Sequence, residues 1–458
     1  MTAKTEKTIF IVVARGFIVK TILRSGVLDE LKKRGHRIVV LFFSVRGAPL
    51  PETLRSEFSA PNVSLEVVGH PRRQFLYRQF KKLTLSLVFN QQTQKLRQLL
   101  GRQYSWAPRL RQLIYVWLAR AKWPRRAARW LERTWFYDDS YAALFDRYRP
   151  DLVFATSIIS SVDISCLKSA RRRGIATVAM PRGWDNINAT LYAILPDRLI
   201  VQNETMRADA LTYQLAKPKR VVVTGFPQFD WYYRPEILQS RAEFFRSRGL
   251  DPNKKLILWG SSGRVTQQKI SICDTLTRAV QTAGTLVEPT QLLIRAHFSD
   301  VRSGRFDYLR GQPNVFVDAN IVQSDFFYDN INPDRTEIAT LANTLYHADV
   351  VVVQSSTLSL DALCCDRPVI NTAFGGLYNK SNRDITSFLY QADCYRPLVT
   401  LGAVDLVGSE SELLASINAY LQNPARRELG RRTALTQLAY RADGQSSHRV
   451  AEVILSLL

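Results

Sequence analysis

Along the first half of the chain, short runs of apolar, mostly β-branched residues alternate with stretches whose apolar positions recur every three or four residues. The runs are 9–14 (IFIVVA), 37–44 (RIVVLFFS), 63–68, 151–156 (DLVFAT), 175–180, 198–202 and 220–224. Each has the length of a strand, and 19–34 and 161–173 between them have helical spacing, so the pattern predicts a parallel, doubly wound sheet. Both helices are expected to stop at a basic turn followed by glycine, Lys33-Arg34-Gly35 and Arg172-Arg173-Gly174, the residues that suit the negative end of a helix and its left-handed exit.

The alternation breaks after Gly225. The segment FPQFDWYYRP, a charged helix at about 236–248 and the turn GLDPNKK leave no room for a strand and read as a connector. Strands at 256–260, 291–297, 314–317, 349–354 and 368–371 then alternate with helices at 266–283, 335–347 and 356–365, and residues 410–458 read as helices packing over the second domain and back towards the first. The expected class is α/β with two Rossmann-like domains, 1–225 and 253–458, joined by a connector at 226–252. No apolar run approaches the ~20 residues of a bilayer-spanning helix. Residues 1–16 lack a small-residue cleavage site and read as the lead into a strand rather than a signal peptide.

A length of 458 residues with 46% apolar residues agrees with two large cores. The charge adds something new. The net charge is +23, and residues 71–136 alone carry sixteen Lys and Arg against one acid, Glu132, together with five of the eight tryptophans: Trp106, Trp117, Trp123, Trp130 and Trp135. Within this insertion, Leu113, Ile114, Trp117, Leu118 and Ala121 keep helical spacing. Pro124 then starts a second helix in which Arg125, Arg126, Arg129 and Arg133 interleave with Trp130, Leu131 and Trp135. Basic residues beside interfacial tryptophans suit an anionic membrane surface. The plainer alternative is a solvated basic face whose tryptophans pack on the first domain. No nucleic-acid module is recognisable, so nucleic acid is not an expected partner.

The cysteines, Cys166, Cys273, Cys364, Cys365 and Cys394, are odd in number and scattered, with no C-x-x-C pair. That pattern points to a reducing compartment and to no structural zinc. Cys364 and Cys365 read as small core residues of a helix.

The richest chemistry lies at 349–361. A buried strand runs out at Gln354, and Ser355, Ser356 and Thr357 open a helix with Asp361 one turn further on. Free amides, hydroxyls and the positive end of a helix dipole make an anion site there, and Asp361 could accept hydrogen bonds from ribose hydroxyls. Arg295 and His297 end an earlier strand, and Gly260-Ser261-Ser262-Gly263-Arg264 follows another, a small loop suited to lie over a diphosphate. In the first domain, Ala14-Arg15-Gly16-Phe17 is a glycine turn between strand and helix. Pro181-Arg182-Gly183-Trp184-Asp185-Asn186 is a polar loop at a strand's carboxyl end, where open α/β sheets bind ligands.

The run QSSTLSLDALCCDRPVI resembles the donor-site strand, turn and helix of GT-B glycosyltransferases and of the related CDP-glycerol glycerophosphotransferases. Leu292-Leu-Ile-Arg295-Ala-His297-Phe298 is similar to the Arg-Pro-His-Pro or Lys-Pro-His-Pro element of those families, with Ala296 and Phe298 where prolines are usual. The loop at 183–186 resembles the Ser-Trp-Asp-Asn element of a group of surface-polysaccharide glycosyltransferases, with Gly183 in place of the serine. Val201-Gln-Asn-Glu204 and Val223-Thr-Gly-Phe-Pro-Gln-Phe-Asp230 match the same group in order and spacing. The matches spread over about half the chain.

The resemblance implies a GT-B enzyme with its domains facing across a cleft. In it His297, Arg295, Arg264, Ser355, Ser356, Thr357 and Asp361 would hold a nucleotide-sugar donor, while Arg15, Gly16, Trp184 and Asn186 would face a glycan or lipid-linked acceptor. Asp185 would be the base of an inverting transfer. No Asp-x-Asp lies on a suitable loop, so neither metal nor cofactor is expected. The implied setting is surface polysaccharide synthesis, lipopolysaccharide or capsule, in the cytoplasm at the inner face of the cell membrane. The same residues would also serve a CDP-alcohol phosphotransferase, a nucleotide-sugar epimerase, or a non-catalytic membrane-binding scaffold with a GT-B core.

Overall fold

The computed structural model describes residues 6–72, 75–84, 87–88, 121–184, 187–188, 190–263, 272–319, 323–378 and 383–458. The first sheet consists of β1 (Thr8–Val13), β2 (Arg37–Phe43), β3 (Val63–Val68), β4 (Leu152–Ala155), β5 (Ala176–Ala179), β6 (Arg198–Val201) and β7 (Val221–Val223), in the order β3-β2-β1-β4-β5-β6-β7. The second consists of β8 (Lys255–Gly260), β9 (Thr290–Arg295), β10 (Val315–Asp318), β11 (Val350–Val353), β12 (Val369–Thr372) and β13 (Asp405–Val407), in the order β10-β9-β8-β11-β12-β13. The pairings between these strands are all parallel. These are the two Rossmann-like domains expected from the alternation. In each sheet the order reverses beside the first strand, between β1 and β4 and between β8 and β11, and such a reversal opens a crevice outside the strand ends.

Helices cover both faces of these sheets, so the central strands are apolar on both sides. Ile9–Val13 and Val350–Val353 have no exposed surface, which is why they read as unbroken runs instead of alternating ones. The one strand without a sequence signal is β13. Three residues between Gly402 and Gly408 are too few to show a period.

The helices that matter below are α1 (Val27–Lys33), α2 (Trp123–Thr134), α3 (Ser161–Arg172), α4 (Arg335–His347), α5 (Leu358–Cys364), α6 (Glu410–Gln422) and α7 (Ser446–Leu455). Gly35 and Gly174 stop α1 and α3 at φ 74° and 70°. Residues 19–34 are not one helix, however: a π turn at Val19–Leu23 precedes α1, and Gly26 separates the two at φ 121°. Pro124 lies in the first turn of α2, where its missing N–H costs no hydrogen bond. Of the expected helix at 110–121, all but Ala121 lies outside the described residues. The connector forms two 3-10 turns, Pro227–Tyr233 and Pro235–Ile237, and a short helix at Arg241–Ser247. Cys365 is buried in the core and Cys364 packs against it.

The chain end crosses back. Val450, Ala451 and Ile454 of α7 belong to the core of the first domain, and Asp230 of the connector accepts from the amides of Ser446 and Ser447 at 3.0 and 2.7 Å. Phe326 and Phe327 from the second domain also sit in the first domain's core.

Candidate functional site

Three strand ends of the second domain converge at its switch point. Ser261 follows β8, His297 follows β9, and Ser355 to Thr357 follow β11. Ser355 has φ 42°, a left-handed conformation that a non-glycine residue keeps only where its surroundings over-determine it. Two tyrosines supply that restraint. The Ser355 amide donates to Tyr390 Oη at 3.0 Å, and Tyr395 Oη donates to the Ser356 carbonyl at 3.2 Å. Ser356 Oγ accepts from the Leu358 amide at 3.2 Å, so α5 starts at Leu358, two residues later than the sequence suggests. The amides of Ser356 and Thr357 take no part in bracing the turn.

The His297 amide donates to Ser261 Oγ at 2.7 Å, and Ser261 Oγ donates to the buried Asp300 carboxylate at 2.7 Å. His297 Nδ1 accepts from the Ser299 amide at 3.3 Å, which places the neutral ring's proton on Nε2. Burial lowers the His297 pKa, with Asp300 acting the other way, so the ring is neutral at pH 7 and offers a hydrogen bond rather than a charge. Gly263, at φ 76°, packs so tightly that a Cβ there would lie 2.6 Å from Nδ1.

These elements form one wall of a cavity of about 710 Å³ between the domains. Arg295, His297, Ser355, Ser356, Thr357 and Asp361 line it from the second domain, and Phe17, Lys20, Arg182, Gly183, Trp184 and Asn188 line it from the first. Its size is that of a site for a nucleotide-sized ligand. Trp184 is buried, with its ring 5.9 Å from that of Tyr395. Asn188 donates to Asp209 at 3.1 Å, and burial together with the nearby Asp393 pushes the Asp209 carboxyl up to about 6. Asp185, Asn186 and Arg264 lie outside the described residues.

Four expected residues are engaged differently from the sequence reading. Arg295 pairs with Asp318 at 2.9 Å and Glu337 at 3.4 Å, both largely buried. Its charge is thereby partly compensated where it lines the cavity. Asp361 accepts from Tyr232 Oη, and burial raises its pKa while Lys20, across the cleft, lowers it. Part of the acceptor capacity foreseen for a ribose is used inside the protein. Gly16 and Arg15 pack against the segment of the second domain that carries Tyr328 and Asp329. The amides of Gly16 and Phe17 donate to Asp329 at 3.0 and 3.1 Å, and the Arg15 guanidinium lies 4.7 Å from the Tyr328 ring centroid. A Cβ on Gly16 would fall 1.5 Å from the Ile331 carbonyl oxygen, so only glycine permits this approach.

The cations the sequence reading passed over are Lys20 and Arg24. They stand four apart in an otherwise apolar stretch, FIVKTILRSGVL, and that spacing was the available signal. Lys20 lies deep in the cleft, where burial lowers its pKa and Asp361 raises it. Arg24 is 2% exposed, pairs with Glu57 at 2.6 Å, and donates to Asn332 Oδ1 at 2.8 Å and the Pro333 carbonyl at 2.6 Å. Both sit on or beside the π turn, a feature often found at functional positions.

No protein-family model and no curated protein sequence matches this chain. Solved structures do. The chain is similar to the UDP-GlcNAc 2-epimerase of Neisseria meningitidis bound to UDP-GlcNAc, with a TM-score of 0.56, 14% identity, and coverage of 98% of this chain and 100% of that one. It is similar to the UDP-GlcNAc 2-epimerase of Methanocaldococcus jannaschii, with a TM-score of 0.55, 12% identity, and coverage of 99% and 100%. The wall teichoic acid polymerase TagF, soaked with CDPG, gives a TM-score of 0.53 at 11% identity, covering 99% of this chain and 89% of that one. The shared architecture is the GT-B fold.

Proposed function

We propose that this protein is a glycosyltransferase that takes a sugar from a nucleotide donor held in the interdomain cavity and passes it to a lipid-linked or glycan acceptor in surface polysaccharide synthesis. One observation carries the reading. His297 and the braced turn Ser355 to Thr357, from different strand ends of the second domain, open on one cavity whose other wall holds Lys20, Arg182 and Trp184 of the first. A neutral imidazole, a turn at the start of a helix and two cations lining one space suit a diphosphate whose charge grows as its bond to the sugar breaks. In the transfer, an acceptor oxygen attacks the anomeric carbon, the bond from that carbon to the nucleotide oxygen breaks, and the acceptor's proton passes to a carboxylate. Asp185, next in sequence to the cavity-lining Trp184, takes that role in an inverting, metal-independent reaction. The protein would work at the cytoplasmic face of the membrane.

Saturation-transfer NMR with UDP, GDP, CMP and CDP donors tests the site. One nucleotide class should bind, and His297→Ala should weaken it about tenfold, the worth of one hydrogen bond to a charged group, without lowering the unfolding temperature. Unchanged affinity in that variant removes the site, and absence of binding to any donor leaves the scaffold reading. Product analysis separates the chemistries. Transfer of a phosphoalcohol from a CDP-alcohol, or interconversion of a nucleotide sugar without acceptor, would replace the glycosyl-transfer reading.

A further inference from the structure

Helix α2 is built inside out. Towards the protein it turns Arg125, Arg129 and Glu132. Arg125 donates to the carbonyls of Thr212 and Tyr213 at 3.0 and 2.9 Å, Arg129 donates to the Tyr192 carbonyl and to Gln214 Oε1 at 3.0 Å each, and Glu132 pairs with Lys168 at 2.7 Å. Towards solvent it turns Trp123 and Trp130, 59% and 57% exposed, and Trp135 just past its end is 72% exposed. Positions 123, 126, 130 and 133 follow helical spacing, so exposed Arg126 and Arg133 share the stripe with the tryptophans. The one acid between residues 122 and 135 is Glu132, which is buried. A helix that merely covered the first domain would do the reverse, burying its indoles and exposing its guanidinium groups.

We propose that this stripe is a docking face for an anionic lipid surface, with the indoles at headgroup level and Arg126 and Arg133 on the phosphates. The alternation of cation and indole matches the headgroup layer, which takes amphipathic rings and positive charge side by side. A partner strand of nucleic acid would instead need a groove in which bases stack in succession, and these side chains stand on the outer face of a helix. Among the described residues no helix is long and apolar enough to cross a membrane, so contact through α2 is contact at the surface. The face is tied to the cavity. Ala128 packs with Leu191, and Arg129 holds the carbonyl of Tyr192, close in sequence to the cavity-lining Asn188. Taken with the glycosyl-transfer reading, docking through α2 would bring a lipid-borne acceptor to the cavity; the docking itself does not depend on that reading.

Co-sedimentation of the full chain with phosphatidylcholine vesicles, with and without phosphatidylglycerol, tests the face. Binding to the anionic vesicles at low salt, its loss at high salt and a blue shift of tryptophan emission are expected. R126Q/R133Q should weaken partition roughly thirtyfold, and W123S/W130S/W135S should abolish the blue shift, with W130S alone as the milder variant if the triple one unfolds. A wild-type chain that ignores anionic vesicles, variants that bind them as well as wild type, or a preference for a single-stranded oligonucleotide over vesicles would overturn the proposal. Nucleotide binding in solution should be unchanged in all three variants, so a failed docking test and a failed nucleotide site remain distinguishable.

Discussion

Individual side chains in the cleft show how burial and partners set chemistry. Burial lowers the His297 pKa and keeps its ring neutral, while Asp361 acts across the cleft to raise the pKa that burial lowers at Lys20, so the site combines a hydrogen-bond donor with a buried cation. Asp209 is a second case with a measurable consequence. Its folded pKa, about 6, lies above the ordinary 3.8, so the stability gained from its protonation is fully present below the lower value and is lost as pH rises through the higher one. Asp209→Asn keeps an uncharged partner for Asn188. Its unfolding temperature should match wild type near about pH 4, pull ahead between about pH 4 and 6, and stay ahead by a constant margin above that. A margin independent of pH would mean that Asp209 ionises without cost.

At the scale of elements, the segment from Phe326 to the start of α4 is what closes the cleft. Its phenylalanines enter the first domain's core, Asp329 binds the glycine turn after β1, and Asn332 and Pro333 take the Arg24 guanidinium. The contact that leaves no slack is the one at Gly16. Gly16→Ala would set a methyl group 1.5 Å from a backbone oxygen, which no rotamer relieves. The domains should part there, with a loss of about 1–3 kcal/mol and a larger radius of gyration in small-angle scattering. An unchanged scattering profile would show that Ile331 moves aside locally.

For the whole molecule, the two domains are coupled by more than the connector. One apolar cluster runs from Leu199 and Val201 of the first sheet through Phe229 to Leu258 and Val351 of the second, and α7 returns the chain end to the first core. Ile454 has no exposed surface there. Ile454→Ala should therefore cost about 2–5 kcal/mol and lower one shared calorimetric transition. Two transitions, of which only one moves, would show that the domains unfold independently.

Much of this architecture was written in the sequence. A central strand buried on both faces has to be apolar throughout, and a helix has to stop where a glycine can turn left, so Ile9–Val13, Val350–Val353, Gly35 and Gly174 marked their elements without help from the rest of the chain. The same local logic marked Ser355 to Thr357 as a strand-end turn, whereas His297 was marked only by its resemblance to a known motif; both line the cavity. What each charged side chain does there was decided only by packing. Arg295, Asp361 and Gly16 found partners 23, 129 and 313 residues away, and no local pattern carries separations of that size. The outward tryptophans of α2 follow from the same cause, because which face of a helix meets the protein is fixed by what the protein offers it, here the carbonyls of Tyr192, Thr212 and Tyr213.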